Sequence, residues 1–123
     1  MFYKQVDIDI NDFIVEISDI PSNLIYGIYP PKYKRNWYGK KVWNPVVLWI
    51  CDNYENNISE KIIKLLKKTF KVTIKLTGTK KLWTIPEALI YDVKFGILSH
   101  ENEYIREIQV ILKYPKAVLN KYE

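Results

Sequence analysis

The chain has 123 residues, 48% of them hydrophobic and 27% charged, which suits a single folded domain over residues 1–123 that closes a core without a metal or disulfide staple. Its one cysteine excludes an internal disulfide and any multi-cysteine zinc site, and no apolar run nears the roughly 20 residues of a membrane helix. The formal charge of +5 is unevenly spread: residues 1–19 hold five acids and one base, residues 20–86 thirteen bases and three acids, and residues 87–123 are near balance. A cationic middle between acidic ends attracts an anionic partner if its lysines share a face.

In chain order, "KQVDIDI" alternates, with Val6, Ile8 and Ile10 on one side and Gln5, Asp7 and Asp9 on the other, as in a half-buried strand. "FIVEISDI" fits either a strand or one or two helical turns behind Asn11-Asp12. "LIYGIY" reads as a short strand ended by Pro30-Pro31, which lack two ladder donors. "PVVLWIC" is a buried strand. Asn57 and Glu60 stand at capping-box spacing, and Ile58, Ile62, Leu65, Leu66 and Phe70 form an apolar stripe opposite Lys61, Lys64, Lys68 and Lys71. This predicts one amphipathic helix over residues 58–70.

"KVTIKLTGTKKLWTI" then predicts a hairpin turning at Thr77-Gly78-Thr79 and broken by Pro86-Glu87. "LIYDVKFGIL" and "YIREIQVILKY" predict a second hairpin joined by the polar "SHENE". Pro115 ends the sheet, and the last eight residues read as a tail or short helix. The expected class is α+β: a mostly antiparallel sheet with one main amphipathic helix packed on a face.

The chemistry-bearing residues are sparse. His100 lies in a polar turn, and Cys51 sits in an apolar run where it reads as a small buried hydrophobe. Asp7, Asp9 and Asp12 suit a solvated strand face, because no glycine-turned loop with a bidentate Glu follows them. Asp92-Val93-Lys94 is an acid-x-Lys pair without an upstream carboxylate at useful spacing. No phosphate loop, dinucleotide fingerprint or Cys/His metal spacing occurs. The expectation is a protein without catalysis, cofactor or metal site. The start of the chain has no basic segment leading into an apolar one, so a cytoplasmic, membrane-free setting is expected.

The informative stretch is "YPPKYKRNWYGKKVWNP", residues 29–45, with five bases, no acid and five aromatics. Asn36 and Gly39 mark it as a loop or open hairpin. Lys32, Tyr33, Lys34, Arg35, Trp37, Tyr38, Lys40, Lys41 and Trp43 are the candidate partner-binding residues, with Arg35 beside Trp37 as the expected hot-spot pair. The partner is a protein or a small anionic ligand. The alternative is single-stranded DNA or RNA, held without sequence preference by lysines on phosphates and aromatics on bases. Against both stands the plain possibility that these aromatics fill the core. By size, lysine-rich composition and lack of an active site, the chain compares with toxin-immunity and phage counter-defence proteins, which bind and block. A binding protein of that inhibitor type is the expected function.

Overall fold

Period-two burial runs through most of the chain, and it builds a sheet. The computed structural model describes residues 13–52, 57–97 and 106–121. Its strands are β1 (Phe13–Ile17), β2 (Ile25–Tyr29), β3 (Tyr33–Arg35), β4 (Lys41–Trp43), β5 (Val46–Asp52), β6 (Phe70–Leu76), β7 (Lys81–Ile97), β8 (Arg106–Lys113) and β9 (Val118–Lys121). One α-helix, α1 (Ile58–Leu65), lies between β5 and β6, and a short 3-10 turn (Ser22–Leu24) precedes β2. The strand predicted in "KQVDIDI", the acids Asp7, Asp9 and Asp12, and the turn holding His100 lie outside the described residues.

The seven-stranded antiparallel sheet runs β1-β6-β7-β8-β5-β2, with β9 added to the first part of β7. The bridge between Ile17 and Ile20 and the 3-10 turn bring β1 round toward β2, so the sheet is nearly closed and barrel-like. Its interior is filled by alternate residues of every long strand: Val15, Ile28, Leu48, Ile74, Ile85 and Ile108 are all fully buried. Each such side chain contributes roughly 1.5–3 kcal/mol by leaving water.

This corrects the α+β expectation. Of the described residues 61% are strand and 11% helical, and the architecture is mostly β. Three local misreadings add up to the difference. The helix stops at Leu65, because Phe70 belongs to the period-two series Phe70, Val72, Ile74 and starts β6. Its last turn tightens, with Leu66 N–H donating to Ile63 and Lys68 N–H to Leu65. Pro86 does not break the strand: β7 passes through it for 17 residues. The proline sits at the irregularity between the Val72–Ile85 and Phe70–Ala88 pairs, where β7 leaves β6 and takes up β8, so its missing N–H is not needed. Residues of the expected tail form β9 and pair with Lys81–Thr84.

The helix start also differs from the predicted capping box. Asn57 adopts a left-handed conformation (φ 49°) and makes no side-chain cap. The cap comes from the end of β5. Asp52, 4% exposed, accepts the Ile58 N–H at 3.2 Å through Oδ1 and the Ser59 hydroxyl at 2.8 Å through Oδ2, with Arg106 at 3.5 Å. Asp52→Ala strands these donors in a buried place and should cost about 2 kcal/mol, on the order of 8 °C in Tm. Asp52→Asn keeps one acceptor and should lie between the variant and the parent in a urea titration.

Candidate interaction site

The basic-aromatic stretch folds as a two-stranded hairpin outside the barrel. Pro30 and Pro31 end β2, and the chain then pairs Tyr33 with Trp43, Lys34 with Val42 and Arg35 with Lys41. Asn36 organises the turn. Its side-chain oxygen accepts the N–H groups of Tyr38 (2.9 Å) and Lys40 (3.0 Å), and its N–H donates to the Lys40 carbonyl. Gly39, at φ 80°, takes the left-handed position that closes the turn and donates to the Asn36 carbonyl. Arg35 Nη1 donates to the Gly39 carbonyl at 2.8 Å. Arg35 therefore braces the turn that carries Trp37 and Tyr38. These two are 93% and 87% exposed on a hydrogen-bonded tip.

The foot of the hairpin is built differently. Trp43 is half-buried and meets Tyr33 edge-on at 5.1 Å, Trp83 at 5.9 Å and Tyr114 at 5.7 Å. Lys41 Nζ lies 4.6 Å from the Tyr33 ring centre. Tyr114 donates its hydroxyl to the Asn44 carbonyl at 2.6 Å, and the Asn44 N–H donates to Lys32. Beside this foot, Lys32 lines a cavity of about 520 Å³ with Pro31, Asn44, Leu76 and Trp83. Of the nine residues singled out in the sequence, Trp37, Tyr38, Lys34 and Lys40 present freely. Tyr33, Lys41 and Trp43 join the foot, with Tyr33 and Lys41 exposed and Trp43 half-buried, outside the buried core of the barrel.

Burial pushes the Tyr114 phenol up to about 12, against a smaller opposing effect of the Lys32 backbone. A folded-state value raised above 10.0 gives stability that is fully present below pH 10 and is lost as pH rises through about 12. Tm should therefore be steady to pH 10 and fall above it, and Tyr114→Phe should fall less steeply between pH 10 and 12.

The other candidates scatter. Cys51 is half-buried on β5, and burial, then the charge of Asp52, push its thiol up, away from nucleophilic character at neutral pH. Asp92 uses Oδ1 to accept the Val93 N–H. Tyr26 donates to Glu107 on the neighbouring side of the sheet, and burial first, then this bond, raise its phenol well above the ordinary range. No cluster of three or more His, Cys, Asp or Glu residues suited to a metal occurs among the described residues. No helix there is long and apolar enough to cross a membrane.

One surface escaped the sequence reading. Ile63 on α1, Leu66 just past its end, and Tyr91, Val93 and Phe95 on β7 flank a groove of about 330 Å³. Ile63, Tyr91 and Phe95 are each more than half exposed. The available signal was Ile63, an apolar residue off the buried stripe of Ile58, Ile62 and Leu65.

No protein-family model matches the chain, and no curated protein matches it in sequence. Solved structures do match, over nearly the whole length. A chain of the extracellular contractile injection system PVC sheath–tube complex in the extended state is similar at TM-score 0.61 and 14% identity, covering 94% of this chain and 92% of that one. The cap that terminates the tube of the anti-feeding prophage is similar at TM-score 0.55 and 14% identity, covering 99% and 96%. Hcp1 from Flavobacterium johnsoniae is similar at TM-score 0.56 and 11% identity, covering 89% and 95%. These likenesses overturn the inhibitor reading and its nucleic-acid alternative, since size and lysine content say nothing about strand order. The fold of this chain is the barrel-like β fold found in sheath–tube, tube-cap and Hcp structures.

Proposed function

We propose that the chain is a structural, non-catalytic subunit that assembles with copies of itself into a tube-type particle of the contractile-injection and Hcp kind. The observation that carries this reading is the likeness to a sheath–tube chain at TM-score 0.61 over 94% of one chain and 92% of the other. Two surface features support it. A barrel that already buries its core still holds Trp37 and Tyr38 out on a rigid tip, and it leaves the α1–β7 groove open. Ordered, exposed aromatics of this kind are interface anchors.

In this reading the hairpin residues Lys34, Trp37, Tyr38 and Lys40 contact another subunit, while Lys32, Tyr33, Arg35, Lys41 and Trp43 hold the hairpin in place. Sedimentation velocity and negative-stain microscopy of the purified protein over a wide concentration range test it. The expected result is ring or tube particles that grow with concentration. A monomer at every concentration up to the solubility limit would overturn it.

A further inference from the structure

We infer that the hairpin tip of one copy seats in the α1–β7 groove of the next, Trp37 and Tyr38 entering it and the bases behind them meeting Asp92, so that copies join head to tail. The inference rests on the assembly reading above and adds the acceptor surface to it. Three observations carry it.

The first is that both surfaces are built and neither is filled within the described chain. The tip is held by four hydrogen bonds through Asn36 and one through Arg35, yet its two rings touch almost nothing. The groove has apolar walls from Ile63, Leu66, Val93 and Phe95, and at about 330 Å³ it lies at the lower end of the sizes that accept a compact ligand. The turn backbone is already ordered, and each ring has only two side-chain torsions to fix on entering such a site.

The second is charge. Among the described residues lining the groove Asp92 is the one carboxylate, with Lys113 3.8 Å over the ring of Tyr91 beside it, and the tip is flanked by Lys34, Arg35, Lys40 and Lys41 without any acid. Seating the tip brings the bases to the carboxylate and fixes the direction of entry.

The third is placement. The hairpin leaves the barrel where β2 ends at Tyr29 and β5 begins at Val46. Phe95 pairs with Ile108 and Ile108 with Ile50, four residues further along β5, or about 13 Å from Val46. The other end of the groove is level with the hairpin's exit, since Ile90 pairs with Leu112 and Leu112 with Val46, but knob and hole share no residue. Such a contact uses two different patches, so it repeats from copy to copy and ends only by closing a ring or by capping.

Site-directed cross-linking tests the pairing. In a Cys51→Ala background the chain has no thiol of its own. One preparation carries Tyr38→Cys and keeps Trp37. The other carries Leu66→Cys on the groove rim and keeps Ile63 and Phe95. Mixed and mildly oxidised, they should give a disulfide-linked heterodimer at no less than about ten times the yield from Tyr38→Cys with Ile14→Cys, an exposed β1 position outside the groove. Adding Phe95→Asp to the Leu66→Cys protein should cut the yield about tenfold. Phe95 is 55% exposed, so this variant should melt with its parent, and the melt is measured alongside. Equal yields at Leu66 and Ile14, or no effect of a folded Phe95→Asp, overturn the groove assignment while leaving assembly intact if the parent sediments as a particle. A parent that never assembles overturns both.

Discussion

The double variant Trp37→Ala/Tyr38→Ala should leave the fold untouched and abolish assembly. Both side chains stand almost wholly in solvent, and the turn that carries them is held by Asn36, Gly39 and Arg35, which the substitutions spare. Surface changes of this kind stay within about 0.5 kcal/mol of the parent. At an interface the same two rings become anchors, and truncating an anchor costs roughly 2–4 kcal/mol. Each loss weakens the contact by about 30-fold to 1,000-fold. Sedimentation velocity beside a thermal melt reads both quantities. Particles that persist at parental concentration with both rings gone would remove the hairpin from the interface.

Why this site was visible in the sequence, and only partly, follows from what each residue type signals locally. Asn36 and Gly39 announce a turn, and the run of bases between the prolines announces an exposed segment. These are near-neighbour effects, and the hairpin they predict is there. Nothing local separates Trp37 from Trp43. Both are tryptophans among lysines, and one reaches solvent while the other reaches Trp83 and Tyr114 on distant strands. The α1–β7 groove is harder still, because Ile63 and Phe95 come together only through the tertiary fold.

The strands follow the same rule. Alternation in Phe13–Ile17 and Phe70–Leu76, and the apolar run Val46–Asp52, reflect burial against immediate neighbours and can be read directly. The switch of β7 from one partner to another at Pro86 cannot, since a proline that breaks one ladder looks like a proline that ends a strand. Barrel closure depends on the chain turning from β1 toward β2 through the Ile17–Ile20 bridge and the 3-10 turn, which no periodicity records. Asp52 capping a helix six residues away is equally silent, and Asn57 beside it imitates the signal. An α+β class assigned from one strong helix stripe was therefore built on eight residues of real helix.

Trp43→Ala, six residues from Trp37, should have the opposite effect: a large loss of stability with assembly lost only as a consequence. The indole packs against Tyr33 at 5.1 Å, Tyr114 at 5.7 Å and Trp83 at 5.9 Å, and so ties the hairpin to β7 and to the segment after β8. Each aromatic pair adds about 0.5–1.5 kcal/mol beyond simple burial. Full truncation of a core tryptophan costs about 3–5 kcal/mol, and half-burial places this one near 3 kcal/mol. For a chain of this size that is on the order of 12 °C in Tm. Trp43→Phe keeps a ring in the cluster and should recover most of the loss. Loss of the indole uncovers the Tyr114 ring, whose burial raises its phenol, so the alanine variant should lose the alkaline step assigned to Tyr114 and the phenylalanine variant should keep it. A Trp43→Ala protein that melts with its parent yet fails to assemble would move Trp43 from the foot to the contact surface, and the division of the hairpin into a presenting tip and an anchoring foot would be wrong.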